Sequence, residues 1–449
     1  MKQENLRRNG ILRGLTAVAL SGALALSLCA CMAETSSSAG GESGHSTSLS
    51  SVTGTFISAS DIFTDRDLEQ TADLSAATTI ALTNGEDATI TEEGVYLISG
   101  SAKDCTIIVE ADDSAKVQLV LDGVSIENAD MPAIYVKSAD KVFITTTEGS
   151  SNSLVATGDF ATDGDTNLDA VIFSKDDLTL NGLGSLSIES SANGISCKDD
   201  LKVTGGTYSI TSAEDGMEAH DSIAIAGGEF TICSSKDAIH SEDDEDDTVG
   251  YIYIGGGTFK IDAEDDGIQA TTFMQIDGGS FEIDAVEAIE GTYVQINAGT
   301  FAISASDDGI NATDKSASFA ASNGICIEIT GGEISISMAQ GDTDAVDSNG
   351  DILSSGGTID ITAQSPFDYV GTGELSGGTV TVNGQQVTQL SNQMMGGMGG
   401  MQGGEMGDAP NASTGTPPSG NAGEAPDGNM GTPPSGDMGG GPGKGRQGQ

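Results

Sequence analysis

Tryptophan is absent from this chain of 449 residues, and aromatic residues make up only 4% of it. A broad aromatic plane for stacking on a flat polymer therefore has little material. Bases are scarce too: 17 Lys and Arg stand against 68 Asp and Glu, a formal net charge of −51. That excludes nucleic acid, whose phosphates need clustered cations, and admits an anionic polymer only through a metal. No arginine lies between Arg66 and Arg446. Cys105, Cys197, Cys233 and Cys326 contain no CxxC pair, so they read as small buried residues or free thiols, not as a disulfide frame or zinc site. The middle of the chain lacks helical periodicity over three turns.

The two ends differ from the middle. Lys2, Arg7, Arg8 and Arg13 precede an apolar stretch from Leu15 to Leu28, and small residues with a cysteine follow. A charged head, a short apolar run and a small-residue exit describe an export signal, too short for a permanent span. The exit Leu28-Cys29-Ala30-Cys31 is close to a bacterial lipobox, with Cys31 the expected lipidated residue because Ala30 precedes it. Lipid on Cys31 would hold the protein on the outer side of a membrane. Residues 32–60, rich in Ser, Thr and Gly, read as a flexible tether reaching roughly 30 Å. From residue 393 to 449 the chain turns to Gly, Met and Pro repeats (TGTPPSG, MGTPPSG) and is expected to be disordered. Its Met-rich start offers soft ligands for Cu(I), although a solvated tail explains it as well.

Between the ends, one motif recurs. VTGGTYSI, IAGGEFTI, IGGGTFKI, IDGGSFEI, INAGTFAI, ITGGEISI, SSGGTIDI and LSGGTVTV begin their glycine pairs, or Ala-Gly in the fifth, at 205, 227, 256, 278, 298, 331, 356 and 377. Short strands separated by turn formers at a spacing of about 22 residues are the pattern of a solenoid. The expected fold class is all-β, a right-handed parallel β-helix over residues 61–392, with 61–120 as its N-terminal cap region. Tyr208/Ile210, Phe230/Ile232, Phe259/Ile261, Phe281/Ile283, Phe301/Ile303 and Ile334/Ile336 alternate with polar residues, so they point inward and stack as a core ladder. They are not a sugar platform. Tyr253 aligns with Lys202, Gln275, Gln295 and Glu328 between inward residues and is expected to face outward.

Five of the repeats carry an acid nine or ten residues after the first residue of the pair: Asp215, Asp237, Asp266, Glu287 and Asp308. Strand spacing near 4.8 Å would stack these into a carboxylate column. Adjacent charges would repel by roughly 3 kcal/mol at an effective dielectric near 20. Splaying into solvent, protonation or cations can relieve this, and hard oxygen donors suit Ca²⁺. A second outward column, Glu218, His240, Gln269, Glu290, Asn311 and Asp347, lies three residues on. The candidate metal ligands are Asp215, Glu218, Asp237, Asp266, Glu287 and Asp308, with Asp243 and Asp244 in the acidic insertion 241–250. A merely solvated acidic face remains the alternative. A second insertion spans 313–324, and the two would flank a trough ~14 Å wide, floored by Gln269 and Glu290.

ITEEGVYLISG (90–100), AKVQLVLDGVSI (115–126), PAIYVKSADKVFITTTEGSSNSL (132–154), AVIFSKDDLTLNGLGSLSI (170–188) and SCKDDLKVTGGTYSI (196–210) resemble the clostridial cell-surface carbohydrate-binding β-helix lipoproteins. The resemblance covers about residues 75–390. It implies bound calcium, a pectate-lyase-like fold and binding of cellulose or acidic sugars such as polygalacturonate without established cleavage. It also implies an extracellular protein, lipid-anchored to a Gram-positive-type cell membrane. One departure is Met217-Glu218-Ala219-His220, where relatives often carry a base after DGI. Lys202, Tyr253, Gln269, Gln275, Glu290 and Gln295 are the candidate sugar contacts, and a monomer is expected. A polysaccharide lyase using Ca²⁺ and a Lys base (Lys198, Lys202 or Lys236) is one alternative, although the missing arginines remove the usual guanidinium clamp on a uronate. A structural or adhesive surface protein is another.

Overall fold

A computed structural model describes residues 57–392 except 244, 245, 247 and 342. Cys31, the signal segment, most of the 32–60 tether, Asp244 and the 393–449 tail lie outside the described residues. The described chain is all-β, with 34 strands in one continuous hydrogen-bonded sheet and two short α-helices, Ala59–Ile62 and Ala317–Asn323.

The sheet is built by parallel pairing between successive turns of the chain. Asn193–Cys197, Asp200–Val203 and Thr207–Ser212 make one turn. They pair in parallel with Met217–Ala219, Ser222–Ile225 and Glu229–Ser234 of the next. Residues at equivalent positions of each turn therefore stack, and the sheet has three faces that we name by their chemistry. The ladder face carries Tyr208, Phe230, Phe259, Phe281 and Phe301 on its inner side, all buried. Their rings stack at 5.3, 4.7, 4.7 and 4.6 Å between centroids. The separation follows the strand spacing, so the register sets the stack. The glycine pairs have a steric cause. Gly279 sits at φ +117°, and a Cβ there would lie 2.9 Å from the Phe281 ring. Only glycine both adopts that backbone and leaves the ring its place.

The second face holds the largest departure from the sequence reading. Lys202, Ala224, Tyr253, Gln275, Gln295 and Glu328 do form one outward column. Residues 57–70 run across its outside as a strap. Ile57 exchanges backbone bonds with the Gln275 amide, its N–H donating to Oε1 at 3.0 Å and its carbonyl accepting from Nε2 at 3.0 Å. Ile62 and Phe63 cover Tyr253, which is 3% exposed and donates its hydroxyl to Asp277 at 3.1 Å. Lys202 donates to the Ile62 carbonyl at 2.8 Å. Gln295 is buried as well, donating to Glu328 at 2.9 Å. Tyr253, Gln275 and Gln295, expected as open sugar contacts, are thus buried, and half-buried Lys202 is tied to the strap. The strap's anchor is Asp67, fully buried, whose carboxylate meets Lys141 at 2.7 Å and accepts from Thr179 at 3.1 Å. Burial alone would raise Asp67, but Lys141 and Thr64 hold its carboxyl down at about 2.

The insertion 313–324 also differs from expectation, because it contains the helix Ala317–Asn323, N-capped by Ser316. Phe319 packs there against Phe273, Tyr293 and Cys326. Cys105, Cys197 and Cys326 are buried, Cys233 is exposed, and all four are free. At the far end, Val380 pairs antiparallel with Val387 across an Asn383-Gly384 turn, both at positive φ, which ends the parallel stack.

Replacing Asp67 with Ala would strand the Lys141 ammonium in a dry interface and is expected to cost about 3–5 kcal/mol. A denaturant midpoint unchanged in Asp67→Ala would show that the strap does not depend on this pair.

Candidate functional site

The third face is the acidic one. Its inward residues Ile195, Met217, Ile239, Ile268, Ile289 and Ile310 are fully buried, which fixes their polar neighbours on the outside. Parallel register stacks Ser196, Glu218, His240, Gln269, Glu290, Asn311, Asp347 and Asp368. Three residues earlier, Asp266 lies opposite Glu287, and Asp308 opposite Asp344. Both expected columns therefore exist.

The carboxylates of the first column hold the turns together. Asp237 N–H donates to Asp215 Oδ1 at 3.1 Å, and Asp266 N–H to Asp237 Oδ1 at 2.9 Å. The second oxygens of Asp215 and Asp237 both face His240 Nδ1 at 3.4 Å. Burial pulls His240 toward neutrality, but these acids outweigh it and raise the imidazole. Asp237 is pushed up to about 6, chiefly by burial.

One turn further, the charge is compensated less. Oxygens of Asp266, Glu287 and Glu290 lie within 4.8 Å of one another, as do those of Asp237, Asp265 and Asp266. Gln269 donates to both Asp266 and Glu290. Asn311 donates to Glu287 at 2.8 Å and Glu290 at 3.2 Å, while its own Oδ1 is buried without a hydrogen-bond partner. Burial first, and neighbouring carboxylates second, raise Asp266. Glu287 is raised by burial and by Glu290, against the opposing pull of Asn311 and Lys315. Asp308 is pushed up to about 8 by burial and by Asp347. These donors are hard oxygens, short of positive charge and gathered at one place, which fits a Ca²⁺ ion.

The structure divides the sequence candidates. Asp215, Asp237, Asp266 and Glu287 come together in overlapping sets. Glu218 turns away, accepting from Asn193 at 2.7 Å and Lys198 at 3.1 Å. Asp308 lies outside those sets, with Oδ1 accepting from Asp344 N–H at 3.3 Å. Asp243 joins a separate group with His220 and Asp221, its carboxylate 3.0 Å from His220. Glu290, expected on a sugar-binding floor, is 3% exposed under Lys315 at 2.6 Å. It and Gln269 belong with the carboxylate set by their register, and Lys315 of the 313–324 insertion covers Glu290 there. Sequence reading missed Asp177, Asp199 and Asp200, which meet at a corner of the acidic face. The repeated Lys-Asp-Asp of 175–177 and 198–200 is the signal that pointed to them.

A family model described as "Carbohydrate-binding domain-containing protein" matches residues 84–345. A protein of the same description from Acetivibrio thermocellus is 40% identical over 120 residues, which are 26% of this chain and 42% of the relative; the match thus spans less than half of that relative's length. A solved structure titled as the polysaccharide lyase-like protein from C. thermocellum, gadolinium derivative, is 24% identical. It covers 67% of this chain and 86% of its own, with a TM-score of 0.37.

The raised carboxyls bind protons in the folded state that the unfolded chain has released above about pH 4. In chelator, stability should therefore fall as pH rises from about 4 through the folded values near 6 to 8. Thermal melts in EGTA at pH 5 and pH 8 check this, and a higher melting temperature at pH 8 would contradict it.

Proposed function

This chain belongs to the carbohydrate-binding domain family, and from that premise we propose that it binds an acidic polysaccharide through Ca²⁺ without cleaving it. The observation that carries the reading is the Asp266–Glu287–Glu290 set, whose oxygens lie within 4.8 Å of one another and in which burial and neighbouring carboxylates raise Asp266 and Glu287. Asp237 and Asp265 extend it, and Gln269 and Asn311 orient it. When bound, Ca²⁺ would supply a positive centre attractive to uronate carboxylates. The chain's own residues fix the oxygens: the strand register holds the acids at stacking distance, and Lys315 neutralises part of Glu290. With a formal charge of −51, an anionic glycan should not bind without the metal.

The architecture is a right-handed parallel β-helix with turns of about 22 residues. The reading is supported by Met217 lying opposite Ile239, 22 residues on, and by the near-universal right-handedness of parallel crossovers. The protein is extracellular and monomeric, anchored through lipid on Cys31. Non-cleaving binding is supported by the state of the lysines. Lys198 is paired with Glu218, Lys202 lies under the strap, and Lys236 is raised by its hydrogen bond to Glu214, the reverse of what a general base requires.

Polygalacturonate should co-sediment with the protein in Ca²⁺ and be released by EGTA. The double variant Asp266→Asn/Glu287→Gln should weaken this by about tenfold or more. Binding unchanged by EGTA would sink the reading. A Ca²⁺-dependent rise in melting temperature with no glycan bound would make the protein structural instead. Unsaturated uronate product, detected by its ultraviolet absorbance and lost in Lys198→Ala, would make it a lyase.

A further inference from the structure

In a stack of repeated turns each turn touches only its neighbours, so turns can be lost one at a time from an end. Residues 57–70 break that rule. Register places Phe143, Thr179, Lys202, Ala224, Tyr253 and Gln275 on six successive turns. The strap touches every one of them. The Arg66 guanidinium lies 4.4 Å from the centre of the Phe143 ring, and Asp67 accepts from Thr179. The Ile62 carbonyl accepts from Lys202, Ile62 and Phe63 pack on Ala224 and Tyr253, and Ile57 closes on Gln275. The grip is deepest at its C-terminal end. There Asp67 is fully buried against Lys141, and the Gln70 amide bonds both Thr204 and Gly182. Chain order adds a second observation. The strap runs through residues 71–77 into Thr78–Ala81, the strand of the first turn. Among the described residues that strand pairs only with Gly94–Lys103, so its other edge is open.

We propose that the strap is a mechanical clamp, which joins these six turns into one unit and keeps a pull on the N-terminal segment from reaching the open edge of the first turn. A pull applied ahead of residue 57 enters the fold at Ile57, over Gln275, and not at Thr78–Ala81. It must free Ile57, lift Phe63 from Tyr253 and draw the Asp67 carboxylate away from Lys141 before residues 71–77 come taut. The last step sets the resistance, because it parts two buried charges. Without the strap, the same pull would open the backbone bonds of the edge strand one after another, at little cost for each. Lipid on Cys31 would supply such a pull whenever a ligand held by the fold is drawn away from the membrane. The clamp itself rests on neither calcium nor glycan.

Single-molecule pulling on the full chain, in EGTA and without glycan, tests the proposal. One handle is held by a short tag inserted after Gln340, and the other by a tag at the N-terminus or after Thr71; both insertion points are exposed. At constant load, the first opening should be about tenfold or more slower from the N-terminal tag than from the Thr71 tag. From the Thr71 tag, opening should begin at Thr78–Ala81 and stall at the turn that holds Lys141. Asp67→Ala should speed the first opening from the N-terminal tag by about tenfold and leave that from the Thr71 tag unchanged. Gln275→Ala, which removes both bonds to Ile57, should speed it too and serves if Asp67→Ala does not fold. Equal rates from the two tags, no stall at the strapped turns, or an equal acceleration from both tags in these variants would overturn the proposal. The last of these would make the strap a general contributor to stability. With no Ca²⁺ or glycan present, failure here leaves the polygalacturonate experiment unaffected.

Discussion

Everything on the acidic face follows from stacking like charges at strand spacing. A parallel register repeats each side chain about 4.8 Å above its counterpart, so an acid that recurs in sequence recurs in space. The cost is roughly 3 kcal/mol per fully charged neighbouring pair at an effective dielectric near 20, large against the total stability of a domain. The chain answers it in several ways. Lys198 meets Glu218, Lys236 meets Glu214, and Lys315 meets Glu290. His240 serves Asp215 and Asp237 together. Where these cations run out, around Asp266, Glu287 and Asp308, burial and neighbouring carboxylates raise the carboxyls instead.

How much of this was legible in the sequence depended on whether a feature repeats. The Phe ladder and both acidic columns were readable because their spacing is the turn length, and the turn length fixes the register. The outward column through Tyr253 was readable for the same reason. Its cover was not. Gln70 bonds Thr204 and Asp67 bonds Thr179, contacts spanning more than 100 residues, and the strap 57–70 has no repeat to align. Period-two patterning tells which side of a strand points away from the core, but not what lies on that outer side.

The same limit explains Glu290. Its column position follows from Gln269 and Asn311 above and below it, whereas Lys315 comes from an insertion whose path no periodicity sets. Regularity made the scaffold and the acidic columns legible, whereas the strap and the Lys315 insertion that cover them follow no repeat.

The three faces also divide the work. The ladder face buries its aromatics and shows only small or charged residues outside, and the strapped face is sealed by residues 57–70. The acidic face remains, and there stability and binding share the same atoms. Asp215 and Asp237 each give one oxygen to the backbone of the next turn and the other to His240. A cation arriving at Asp266 therefore meets a carboxylate in the column that joins the turns. Its binding must stabilise the stack as well as create a charge for a ligand, since anything that binds only the folded state raises its stability by mass action. Ca²⁺ affinity, resistance to heat and glycan capture should then change together in variants of this column. Variants of the ladder's outer surface have little such coupling, because their charges stand in solvent, where even the Lys260–Glu282 pair between turns is exposed.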